Sequence, residues 1–248
     1  SGSRGFGHQV CDDFLKEMTS RAGRGKFQFD LPDRQLACAP IKSKQGRRYL
    51  SAMACAANYA WANRQILMHR TREILAATLG VPATHQGFKL IYDISHNIAK
   101  KETHKVNGRN RVAYDHRKGA TRSLPPGNPC LPSRYSGTGQ PVLIPGDMGT
   151  ESYVMAGTQE AMRLSFGSCC PGAGRVLSRT QAVKRAKGRS IRAELDHSGI
   201  VARSHGKRTL EEEMPEAYKK IAQVVKVVHD AGLAKKVASL RPLGVIKG

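Results

Sequence analysis

Apolar positions recur at helical spacing in two stretches of the first third of the chain. Asp12–Thr19 alternates apolar and polar residues as a short helix does, after a glycine-rich opening. A longer helix is predicted from Gly46 to Leu79. Its stripe holds Leu50, Met53, Ala57, Ala60, Trp61, Leu67, Met68, Ile74 and Leu75, and Gly80 with Pro82 ends it. That stripe, Trp61 included, is expected in the core. Phe88–Ser95 has a strand's period of two, with Leu90, Tyr92 and Ile94 on one face. Thr103–Val106 and Arg111–His116 flank Asn107-Gly108, two residues that tolerate positive φ, so a hairpin is predicted there. Leu124–Gly139 reads as a loop. Pro141–Pro145 reads as a brief buried strand, Gly146–Gly149 as a turn and Ser152–Met155 as a second strand. Helices are predicted at Arg175–Ala186, Ile191–His197 and Glu213–Asp230, and Pro215 lies near the start of the last, where its missing N–H costs little. Val201–Ala202 and Leu243–Ile246 are expected to close a sheet. With no repeat and no βαβ rhythm, the expected fold class is α+β, a single mixed α/β domain.

Charge adds a partner to this picture. Among 248 residues, Lys and Arg number 41 and Asp and Glu 19, a formal charge of +22. A protein this basic points to a polyanion, nucleic acid first. The basic residues are spread along the chain, which argues against a membrane-surface helix, and no apolar run approaches the ~20 residues of a span. Cys11, Cys38, Cys55, Cys130, Cys169 and Cys170 form no C-x-x-C pair, which argues against a zinc ribbon and reads as reduced thiols in a cytoplasmic protein. The chain opens without Met on SGSRGFG, so an N-terminally truncated fragment is expected.

Three glycine-rich loops carry candidate chemistry: Ser1–Gly7, Pro145–Thr150 and Pro171–Arg175. Glycine lets backbone N–H groups approach phosphate, and Arg4 and Arg175 offer forks for its oxygens. A turn with a solvated arginine is the other reading of each. None matches a Walker loop, and neither H-E-x-x-H nor G-x-S-x-G is present. His96 follows the Phe88–Ser95 strand and is a candidate metal ligand or a hydrogen-bonded structural histidine. His116 opens HRKGATR, whose Arg117, Lys118 and Arg122 suit a nucleic-acid backbone or a solvated hairpin end. His8, His69, His85, His104, His197, His205 and His229 share no ligand spacing.

Taken together, SGSRGFGHQV, YDISHNIAK, HRKGATR, GQPVLIPGDMGTESYV, GAGRVLSR, EMPEAYKK and LRPLGVIKG resemble, in order, the C-terminal part of the RtcB family of RNA-splicing ligases. The resemblance covers nearly the whole chain, residues 1–248 as part of a catalytic domain. It implies a GTP- and Mn²⁺-dependent RNA ligase that joins RNA 3′-phosphate or 2′,3′-cyclic-phosphate ends to 5′-hydroxyl ends, as in tRNA splicing and RNA repair. In the family a histidine takes GMP covalently and GMP then activates the RNA 3′ end. The implied partners are RNA (tRNA halves or broken RNA), GTP and an accessory activating protein, in the cytoplasm and without a membrane. By the same resemblance His96 is a metal ligand at the nucleotide, with Asn97 beside it. Pro145, Gly146, Asp147 and Met148 form the nucleotide-binding turn, with Ser152 on the guanine side. Gly172, Ala173 and Gly174 surround the guanylylated residue. Tyr218 lies at the base and Lys247 at the nucleotide, while Arg4, Lys118, Arg175 and Arg179 suit RNA phosphates.

Three departures accompany it. Pro171 stands where the family's GMP-accepting histidine precedes GAGR, and proline has no nucleophilic side chain. The family's other metal ligands lie upstream of Ser1. Asp147 stands where a small hydroxyl residue is common, which puts a negative charge near phosphate. A non-catalytic RNA-binding pseudo-ligase is the alternative reading.

Overall fold

The computed structural model describes residues 5–19, 32–204 and 206–246. They fall into two compact units, residues 1–91 with 246–248, and residues 92–245.

The first unit is helical. Helix α1 (Phe6–Thr19) starts earlier than predicted and packs on α2 (Lys44–Leu79). Phe14 meets Tyr49 edge-on at 5.3 Å, Phe6 meets Tyr59 at 6.0 Å, and Arg48 pairs with Glu17 at 3.0 Å. The Ser43 hydroxyl caps α2 by accepting from the Gly46 N–H, and left-handed Gly80 ends it. The expected core stripe is a correction. Trp61 is 38% exposed, and among the residues of α2 only Gly46 is buried, because α1 is short and covers only part of so long a helix. Phe88–Ser95 is also corrected: it pairs with no strand among the described residues. Phe88 is instead held by α2, where Arg72 donates to its carbonyl and lies over its ring.

The second unit carries the sheets. Strands β1 (Asn97–Val106) and β2 (Arg109–Lys118) form an antiparallel ribbon in which Val106 faces Arg109 and Asn97 faces Lys118. Its turn needs positive φ at two successive residues, and Asn107 (49°) and Gly108 (77°) supply it. Two-residue β3 (Thr121–Arg122) pairs with β6 (Ser168–Cys169). Strands β4 (Pro141–Ile144), β5 (Ser152–Gly157) and β7 (Ala234–Leu240) form an antiparallel sheet in the order β4–β5–β7. Alternation drives it: Val142 and Ile144 on β4 and Tyr153 and Met155 on β5 turn into one core. Helix α7 (Ile221–Asp230) adds Ile221, Val225 and Val228, one stripe at helical spacing.

A second apolar cluster joins α4 (Arg179–Arg185), α5 (Ile191–His197) and α6 (Lys207–Glu212) through Ala182, Ala186, Ile191, Leu195 and Leu210. Helix α3 (Gln159–Ser165) follows β5. The predicted helix at Arg175 begins only at Arg179, because Ser178 and Gln181 form a reciprocal capping box there. The predicted Glu213–Asp230 helix is broken. Met214 is extended ahead of Pro215, a short turn spans Pro215–Ala217, and Tyr218 is extended again. Val201–Ala202 and Leu243–Ile246 are not strands. The closing strand is β7, and Pro242, which cannot donate to a ladder, follows its end.

Candidate functional site

Three of the segments singled out in the sequence meet at the seam between the two apolar clusters. The Pro145–Thr150 turn follows β4. Gly146 donates to Ser152 Oγ at 3.2 Å, Asp147 N–H to Thr150 Oγ1 at 3.1 Å, and Gly149 N–H to Asp147 Oδ1 at 2.7 Å. Only glycine fits at position 146, where a Cβ would stand 2.2 Å from the Glu151 carbonyl oxygen. The Asp147 carboxylate thus folds back onto the turn's own amide. The Pro171–Arg175 loop lies against it, since a Cβ on Gly172 would stand 3.7 Å from the Pro145 carbonyl oxygen. Ala173 is buried in the sheet core, and Met148 and Tyr218 pack on the helical cluster.

The Met214–Tyr218 segment completes the seam. Arg175 and Tyr218 form an antiparallel bridge, and Lys219 N–H donates to Gly174 O at 3.0 Å. The Arg175 guanidinium lies 4.8 Å from the Tyr218 ring centroid. It donates to Leu177 O, Glu212 O and Tyr218 Oη, and pairs with Glu213 at 3.5 Å. The Tyr218 hydroxyl donates to Glu213. Burial first, and then that hydrogen bond, push the hydroxyl up to about 12, so it stays a donor at neutral pH. Arg175, expected at RNA phosphates, therefore directs most of its N–H groups inward. Arg179 is exposed and pairs with Glu212 at 3.6 Å.

His96 and Asn97 sit at the root of the ribbon, both exposed. Asn97 Oδ1 accepts from Gly119 N–H at 3.0 Å, and exposed Lys118 faces Asn97 in the ladder. The His96 carbonyl accepts from Ala120 N–H, and Thr121 faces Cys169, two residues before Pro171. Short strands thus connect the ribbon root to the Pro171 loop. Pro171 is half-buried. Arg4 and Lys247 lie outside the described residues.

The sequence reading missed one cluster. The inner face of the ribbon carries Glu102, His104, Asp115 and Arg117, and Arg117 is 4% exposed rather than facing an RNA backbone or water. Arg117 donates to both Glu102 oxygens, at 3.0 and 2.7 Å, and to Ser168 Oγ and Phe166 O. His104 Nε2 lies 2.5 Å from Asp115 Oδ2, and the Phe166 ring closes edge-on over the imidazole at 5.0 Å. Burial pushes the Glu102 carboxyl up, but the Arg117 hydrogen bonds and charge outweigh it and hold the group below the usual carboxylate range.

Ligand atoms of Glu102, His104 and Asp115 lie within 4.8 Å of one another, a spacing compatible with a metal ion. The charges argue for an ion-pair network instead. Arg117 holds both Glu102 oxygens and Arg122 approaches one at 3.6 Å, so the carboxylates already face guanidinium cations. Around His96 no group of three ligating side chains forms among the described residues. All six cysteines are free, and among the described residues no helix is long and apolar enough to cross a membrane.

The family description "tRNA-splicing ligase RtcB" matches residues 1–248. The tRNA-splicing ligase RtcB of Methanococcus maripaludis is 50% identical over 248 residues, all of this chain and 51% of that protein. That of Archaeoglobus fulgidus is 52% identical over 247 residues, again 100% of this chain and 51% of its own length. The RNA-splicing ligase RtcB of Mycobacterium bovis is 50% identical over 248 residues, covering 100% and 55%. The chain spans about half the length of these relatives, and 25% of the one from Methanocaldococcus jannaschii. With half of its positions shared across its whole length, and with helices and antiparallel sheets of the expected α+β class, the chain belongs to the RtcB family of tRNA-splicing ligases.

Proposed function

We propose that this chain is part of a GTP- and Mn²⁺-dependent RNA ligase. The ligase joins RNA 3′-phosphate or 2′,3′-cyclic-phosphate ends to 5′-hydroxyl ends in the cytoplasm, acting on tRNA halves or broken RNA. The observation that carries this reading is the seam, where the Pro145 turn, the Gly172 loop and Tyr218 converge. GTP, when bound, supplies the GMP that activates an RNA 3′ end. Arg175 and Glu213 hold the Tyr218 ring in one orientation for a base, Ser152 fixes the turn through Gly146, and Lys118 and Arg179 face RNA phosphates. Of the metal ligands matched by the resemblance, the described residues offer the single imidazole of His96, too few to hold the ion, and the Glu102–His104–Asp115 group is engaged by Arg117 and Arg122.

Pro171 favours a second reading. It has no nitrogen or oxygen nucleophile to take GMP, so the unaltered chain keeps the surfaces of a ligase without its covalent step, as an RNA-binding pseudo-ligase does. Incubation with α-phosphate-labelled GTP and Mn²⁺ separates the two. The expected result is no covalent label on the unaltered protein and an acid-labile label on Pro171→His in a full-length version that carries the upstream metal ligands. Strong labelling of the unaltered protein overturns the assignment of residue 171. Absence of label on Pro171→His, with RNA binding intact, selects the pseudo-ligase.

A further inference from the structure

We propose that the outer face of the β1–β2 ribbon is a docking track for a single RNA strand leading away from His96. This rests on the RNA-ligase reading above and adds to it the path of the substrate. The ladder register and strand alternation divide the ribbon cleanly. Both of its acids, Glu102 and Asp115, lie on the inner face, where Arg117 and His104 engage them. The outer face carries Lys101, Lys105 and Lys118, interleaved with Tyr114 and His116, and no acidic residue. Among the described residues these lysines form no ion pair, and all three are exposed. Arg109 and Arg111 near the tip are exposed but share the face of Glu102 and His104, so they are not part of the track.

Because both acids lie on the inner face, the outer-face lysines are left uncompensated by any carboxylate of the ribbon, which makes that face complementary to a phosphate backbone. The ring of Tyr114 faces Lys101 directly across the ladder. Lysines that track phosphates beside rings that stack on bases are what sequence-tolerant single-strand binding requires. An acidic protein segment would use the lysines but not the rings. The ribbon is also anchored along its inner face. A lone two-stranded hairpin is marginal in water, but here the inner network anchors it to Phe166 and Ser168. Its root is the paired Asn97 and Lys118, next to exposed His96, so the track is continuous with the residues matched to the ligase site.

The test is fluorescence anisotropy of a labelled 20-nucleotide RNA across a salt series, using the full chain. Lys101→Glu/Lys105→Glu is expected to bind at least tenfold more weakly. Its log–log salt slope should be shallower by about 1.4, roughly 0.7 for each lost single-strand phosphate contact. The milder Lys101→Ala/Lys105→Ala, with an unchanged melting transition, should show the same shallower slope. Lys187→Glu/Arg192→Glu, an equal charge change on the α4–α5 surface, should weaken binding less than threefold. Unaltered affinity and slope in both ribbon variants, with the parent protein binding RNA, overturn the track and leave the ligase reading standing. Failure of the parent protein to bind RNA overturns both. Displacement of the RNA by polyglutamate at equal charge concentration overturns the track in favour of an acidic protein partner.

Discussion

The β1–β2 ribbon and the β4–β5–β7 sheet are both antiparallel, yet they bury opposite chemistry. The sheet turns Val142, Ile144, Tyr153 and Met155 into a core closed by α7. The ribbon turns Glu102, His104, Asp115 and Arg117 inward and closes them with Phe166 and Ser168. Apolar burial is forgiving, because each side chain contributes in proportion to area and a truncated one leaves a cavity that partly relaxes. A buried ion network is unforgiving, because loss of one member leaves another charged and desolvated. The molecule uses the first to make a scaffold and the second to hold one projecting element in a fixed direction.

Glu102→Ala breaks the comparison most severely. It strands Arg117, whose guanidinium is almost fully enclosed. The expected loss is about 3–5 kcal/mol, the range for removing one partner of a buried pair, read from the urea midpoint. Met155→Ala, at the fully buried centre of the sheet, should cost about 2–5 kcal/mol. Their pH dependences separate the two chemistries. The Glu102 carboxyl is held below its usual range in the folded state. Its contribution is therefore complete above an unfolded value near ~4.3 and is lost as pH falls through the lower folded value. The gap between the parent protein and Glu102→Ala should close on acidification, while the Met155→Ala gap stays level. A pH-independent Glu102→Ala deficit would show that the ion network is not what stabilises the ribbon.

The same contrast explains what could be read in advance. Strands β4 and β5 announce themselves as brief apolar runs, Pro141–Pro145 and Ser152–Met155, on either side of a glycine-bearing turn, and their alternating burial appears only in the structure. The hairpin turn was legible too, since Asn107-Gly108 is chemistry local to two residues. The network was not, because a search for apolar periodicity passes over Glu102 and His104. A signal existed nonetheless. A two-residue turn fixes the register, and the register puts Glu102, His104, Asp115 and Arg117 on one face at period two. Tyr218 was placed by resemblance, but its partner Glu213 was hidden inside a predicted helix that Pro215 breaks. Trp61 shows the converse failure: helical spacing says which residues share a face, not whether another element covers that face.

A smaller effect is expected at the seam, where both chemistries meet around one side chain. Tyr218→Phe keeps the ring against the helical cluster and under Arg175, but removes the hydroxyl that joins Arg175 to Glu213. The loss should be about 1.5 kcal/mol, the lower end for a hydrogen bond to a charged group. Tyr218→Ala, which also removes the ring, should cost more. Equal losses in urea melts would show that the hydroxyl, not the ring, positions Arg175.

The smallest effect sharpens the comparison where the two regions touch. Strand β6 belongs to both: Ser168 Oγ accepts from Arg117 of the ribbon, and Cys169 is buried in the sheet core. Cys170, half-buried just beyond it, inherits a mixed environment. A hydrogen bond from the Cys169 thiol holds the Cys170 thiol down to about 7, against burial, which pushes it up, and the Gly172 amide helps. The same pairing and burial push the Cys169 thiol up, so the two adjacent sulfurs differ in reactivity. Mass-spectrometric mapping of iodoacetamide alkylation should find Cys170 labelled at a rate that rises with pH and reaches half its plateau near pH 7. Cys169→Ala removes the donor, and the midpoint should move up toward the ~8.5 of an ordinary thiol, with little change in the urea midpoint. A midpoint that stays put would assign the activation to the backbone of the Gly172 loop, making the loop rather than the neighbouring thiol the source of anion stabilisation beside Pro171.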